Sequence, residues 1–68
     1  MDLEYQLRVA KERDDLQNKV EKLATFTVSN PIFQTLELTD KRLLERQLYC
    51  MRLYHSILTE RIERFKKG

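Results

Sequence analysis

Between Leu16 and Phe26, the apolar residues Leu16, Val20, Leu23 and Phe26 return at intervals of three and four, the spacing of one face of an α-helix. Val9, Leu16 and Leu23 repeat every seventh residue, so the pattern predicts a first helix from about Asp2 to Phe26, apolar mainly in its second half. In the heptad register built on those three, Tyr5, Glu12, Lys19 and Phe26 take the other seam position, which makes the seam mixed. The pattern breaks at "VSNPIF", which holds the only Pro of the chain. There Asn30 is placed to cap a turn whose first position is Pro31, where a missing N–H costs nothing. The segment "PIFQTLEL" reads as a short helix or irregular connector.

The second long helix is expected to begin at Thr39, a residue type whose hydroxyl accepts a free N–H of the first turn, with Asp40 at the positive end of the dipole. Leu38 and Leu43 then occupy the positions of a hydrophobic staple. Leu44, Leu48, Met51, Leu58, Ile62 and Phe65 line one face, and the pattern ends in the cationic "RFKKG". Running from about Asp40 to Lys67, this helix would be roughly 40 Å long at ~1.5 Å per residue. The expected fold is therefore all-α: an antiparallel hairpin of two long helices with a short connecting helix, forming one domain over residues 1–68. Leu43, Cys50, Tyr54 and Ile57 widen the apolar stripe of the second helix beyond what a single antiparallel partner covers. Either the connector folds back over this strip with Ile32, Phe33 and Leu36, or another polypeptide covers it.

Size bears on that choice. A chain of 68 residues with 41% apolar content buries a modest share of its surface alone. Domains this small commonly add disulfides, metals or further subunits, and the single Cys50 permits no internal disulfide, so a homo-oligomer is expected. The formal net charge of +2, from 13 Lys and Arg against 11 Asp and Glu, is too small for a general DNA or RNA binder. An anionic ligand, if one is bound, should be small. No run has the length of a membrane span and "MDLEYQLRVAKERDD" lacks the apolar core of a signal peptide, so a cytoplasmic protein without membrane attachment is expected.

Catalytic and metal chemistry find little support. His55 and Cys50 stand five apart and do not share a helix face as a ligand pair would. A single terminal Gly rules out a glycine-rich phosphate loop, and no nucleophile–base motif is present. Asp14 with Asp15, and Glu60 with Glu63, suit a solvated helix face better than a catalytic pair. Neither an enzyme nor a cofactor is expected. For binding, Lys19 and Lys22 flank the apolar seam, where their stems can cover neighbours while the ammonium groups reach water. Tyr5 suits a wet-edged packing position, and Arg61, at the edge of the core stripe, calls for an acidic partner or an anionic ligand.

The runs "YQLRVAKERDDLQNKVEKLATF", "NPIFQTLE" and "LLERQLYCMRLYHSILTERIERF" resemble the small phage proteins of the second anti-CBASS family, from about Tyr5 to Phe65. The resemblance implies a helical hairpin that assembles into a symmetric hexamer and, in the cytoplasm of an infected bacterium, sequesters cyclic oligonucleotide alarm signals without turning them over. Its ligands would be cyclic dinucleotides such as cGAMP and, in some members, cyclic trinucleotides. It further implies an aromatic residue that stacks on a base, for which Tyr5 is available, and a phosphate-binding lysine from a neighbouring protomer, matched by Lys22 in "EKLATF". Arg8 would accompany Tyr5. For trinucleotides it implies a late arginine, matched by Arg61, and a threonine whose place falls at Ala24, beside Thr25. Outside the resemblance, the same apolar strip would serve a helical adaptor or inhibitor laid against a host protein.

Overall fold

Asp2 turns the chain into its first helix, its carboxylate accepting the Glu4 backbone N–H at 2.9 Å and so satisfying one of the donors left free at a helix start. The computed structural model describes residues 2–67; Gly68, at the end of the cationic "RFKKG" run, lies outside them. Helix α1 spans Leu3–Ser29, three residues beyond the expected end at Phe26. Thr27 and Ser29 allow the extension. Their hydroxyls donate back to the carbonyls of Ala24 (2.9 Å) and Thr25 (3.0 Å), satisfying themselves inside the helix rather than competing for it.

The helix ends where Pro31 forbids its continuation. Asn30 then caps α2, Pro31–Thr35, by accepting the Ile32 N–H at 2.9 Å, as expected from the sequence. Leu36 and Glu37 link it to α3, Leu38–Lys67. Here the structure corrects the reading. The Glu37 carbonyl accepts the Lys41 N–H at 3.0 Å, so the helix opens at Leu38, two residues earlier than the Asp40 start that a Thr39 cap requires. Thr39 lies inside the helix, and Leu38 and Leu43 are both exposed instead of forming a staple.

The two long helices run antiparallel. At the open end of the hairpin the rings of Tyr5 and Phe65 meet edge to face, with centroids 5.8 Å apart. At the closed end Phe33 of α2 is buried, its ring set edge-on to Phe26 at 5.9 Å and beneath the Lys41 ammonium at 5.7 Å. Between these ends lies a core of Val9, Leu16, Val20, Leu48 and Leu58, flanked by Leu23, Ala24, Met51, Ile62 and Phe65. The molecule is a rod whose Cα atoms span 48 × 15 × 13 Å.

The seam of α1 passes through Val20 and the half-buried Arg13 rather than through Glu12 and Lys19, which are exposed. A helix of 3.6 residues per turn drifts from a strict seven-residue repeat, and this register keeps the Glu12 and Lys19 charges in water. Arg13 solves the same problem by burying part of its side chain while its head pairs with the exposed Asp14 at 3.2 Å. On α3, His55 fills the half-buried seam position between Met51 and Leu58. No buried side-chain N or O among the described residues lacks a hydrogen-bond partner.

The connector does not reach the apolar strip of α3. Phe33 is committed to Phe26, Ile32 points to solvent, and Leu43, Tyr54 and Ile57 are 51%, 42% and 53% exposed. Leu53 and Tyr49 widen this exposed surface. Leu58, at 0% exposure, is the one fully buried side chain among the described residues. Leu58→Ala should destabilise the fold by about 3 kcal/mol through lost burial and the cavity left behind, read as a lowered midpoint in urea denaturation followed by circular dichroism. Leu53→Ala, on the open face, should leave that midpoint nearly unchanged unless another chain covers it.

Candidate ligand-binding surface

Because α1 and α3 meet along one narrow seam, the side chains flanking it form open grooves, not enclosed cavities. The larger groove, 370 Å³, runs beside the seam and is lined by Arg8, Lys11, Glu12, Asp15, Leu16, Lys19 and Tyr54. Its α1 members recur at three- and four-residue steps and so share a helix face, while Tyr54 reaches it from α3. Lys11 is already engaged, its ammonium 2.8 Å from Asp15. The hydrogen bond and the negative charge of Asp15 raise the Lys11 pKa above its ordinary 10.5. Arg8 and Lys19 form no ion pair with a carboxylate among the described residues. They are the cations of this groove that remain available to an anion.

A second concavity, 340 Å³, lies on the outer face of α1 between Asn18, Glu21, Lys22 and Thr25. Glu21 is held by the Gln17 amide at 2.9 Å, and Lys22 has no carboxylate partner among the described residues. The structure thus brings Lys22 and Thr25 together. At the open end of the hairpin it brings another pair together: the Arg61 guanidinium donates a hydrogen bond to the Tyr5 hydroxyl. Tyr5 remains 37% exposed.

The five candidate residues therefore occupy three places on one protomer: Tyr5 with Arg61, Arg8 in the large groove, and Lys22 with Thr25. Along α1, Tyr5 and Lys22 are separated by roughly 25 Å at ~1.5 Å per residue, too far to grip one small molecule from the same chain. Sequence reading assigned Tyr54 to the apolar strip and Lys19 to the seam margin, and missed that they share a groove with Arg8. The i, i+4 and i, i+11 recurrence of Arg8, Glu12 and Lys19 was the available signal for the α1 side; nothing local points to Tyr54. No group of three or more His, Cys, Asp or Glu among the described residues is placed to hold a metal ion, and no described helix is long and apolar enough to cross a membrane.

What the fold and its surface define is an all-helical hairpin carrying unpaired cations on shallow grooves beside an exposed apolar face. The chain belongs to the Sequestin family, whose model matches residues 3–64. This fits the resemblance to the phage anti-CBASS sponge proteins, and the family name points to a sequestering role. No curated protein and no solved structure matches the chain.

Because the Lys11 pKa is raised in the folded state, the Lys11–Asp15 contact contributes fully below pH 10.5 and is lost as pH rises through the higher folded value. Titration of the Lys11 ammonium by NMR should give a pKa above 10.5 that falls toward it in Asp15→Asn and with added salt. Across neutral pH the pair should stay intact.

Proposed function

We propose that this protein binds cyclic oligonucleotide second messengers and holds them without turnover, keeping them from the effectors of CBASS defence in the cytoplasm of a bacterium infected by a phage. Membership of the Sequestin family over residues 3–64 is the observation that carries this reading. A cyclic dinucleotide presents two phosphate charges between flat bases, so its site needs cations beside aromatic or apolar surface. Tyr5 and Arg8 near one end of α1, and Lys22 near the other, offer those groups.

Their separation gives the reading its geometry. With Tyr5 and Lys22 roughly 25 Å apart at ~1.5 Å per helical residue, one ligand meets both types of group only when Tyr5 and Arg8 of one protomer face Lys22 of another. A symmetric pair of protomers would then present each contact twice to a nearly symmetric ligand. The uncovered strip of Leu43, Tyr54 and Ile57 supports association of copies, and a homohexamer is the assembly we propose. Thr25 and Arg61 are the groups proposed to meet a larger cyclic trinucleotide.

The same strip also suits a second reading, a helical adaptor or inhibitor seated on a host protein. Calorimetry and light scattering separate the two. Titration with cGAMP should give tight, saturable binding that Lys22→Ala weakens by about tenfold or more, the usual cost of a lost charge-assisted contact, without loss of helical circular dichroism. Light scattering should show an oligomer, further stabilised by ligand through mass action. A monomer that takes up no cyclic nucleotide but retains one host protein in stoichiometric amount would favour the adaptor.

A further inference from the structure

The contact between Arg61 and Tyr5 joins residues 56 positions apart and gives the guanidinium a neutral partner. Arg61 is half-buried and forms no ion pair with a carboxylate among the described residues. Its guanidinium carbon lies 5.8 Å from the Tyr5 ring centroid, near the outer limit of a cation–π contact, so the hydrogen bond to the hydroxyl is the closer tie. On the ring itself Phe65 packs edge to face at an interplanar angle of 66°. An edge-to-face neighbour can cover at most one face of the Tyr5 ring. The hydroxyl is thus anchored from α3, the ring is braced from α3 by Phe65, and 37% of Tyr5 stays exposed to meet another ring.

An aromatic side chain near the start of a helix would otherwise lose rotamer freedom on stacking against a ligand, and a side chain already held in place loses less. We infer that Arg61 is a positioning residue for Tyr5: through its hydrogen bond to the hydroxyl it fixes the ring in the orientation that stacks on a base of a cyclic dinucleotide. This rests on the sequestering reading above and adds to it a role for Arg61 in dinucleotide binding that involves no contact with that ligand. The guanidinium acts across the hairpin, from α3 to a ring on α1.

A double-mutant cycle tests it, with cGAMP as the titrant in calorimetry and circular dichroism as the control for folding. Arg61→Gln and Tyr5→Phe should each weaken binding by about two- to tenfold, the order expected when a side chain must be ordered on binding instead of beforehand. The double variant should bind no more weakly than either single one, because the second change removes a contact already gone. Arg61→Lys, which keeps a cationic donor, should recover part of the affinity in the Tyr5 protein and none in the Tyr5→Phe background. Additive losses, or an Arg61→Gln protein that binds like wild type, overturn the positioning role while leaving sequestration intact. Wild-type protein that binds no cGAMP overturns both.

Discussion

A single line of interdigitated apolar side chains holds the molecule together, and its narrowness governs everything else. Val9, Leu16 and Val20 on α1 meet Leu48 and Leu58 on α3, with no third layer behind either helix. Two helices in contact bury one stripe each, and every residue off that stripe stays within reach of water. Hence the solutions found at its margins: Arg13 half-buried with its head paired to Asp14, Glu12 and Lys19 turned outward, and His55 half-covered between Met51 and Leu58. The groove of Arg8, Lys19 and Tyr54 follows from the same constraint, since side chains flanking a single line of contact leave a trough beside it.

The ends of the rod are secured differently from its middle. Phe26, Phe33 and Lys41 clasp the closed end around the short α2, while Tyr5, Phe65 and Arg61 tie the open end. Aromatic contacts of this geometry add specific orientation to the area they cover. Both clasps fix how the helices terminate against each other, and the open-end clasp does so with groups that also face solvent. Structural anchoring and solvent-facing polar groups are consequently concentrated in the same few side chains there.

Much of this was legible in the chain. The hairpin, its short middle helix and the Asn30–Pro31 cap rest on local chemistry, a capping amide before a ring with no N–H, and the core residues rest on helical periodicity. The cap of α3 was misplaced by two residues because Thr39 has the chemistry of a cap; the extended Leu36 delivers the chain into the helix sooner, with the Glu37 carbonyl taking the first helical bond. The second seam position of α1 was misread because a seven-residue repeat anchored on Val9, Leu16 and Leu23 fits Glu12 and Lys19 as readily as Arg13 and Val20. Choosing between them depends on how α1 rotates against α3. The Arg61–Tyr5 tie and the presence of Tyr54 beside Arg8 and Lys19 were out of reach for the same reason: they depend on which turn of one helix lies against which turn of the other.

The cross-section of the hairpin carries a last implication. A Cα envelope only 15 × 13 Å across has no interior in which a guest could be hidden, so anything held by one rod is touched from one side and open to hydrolases on the other. Shielding a captured molecule from the rest of the cell requires walls contributed by several rods, and the lifetime of the captive would then depend on how long the rods stay together.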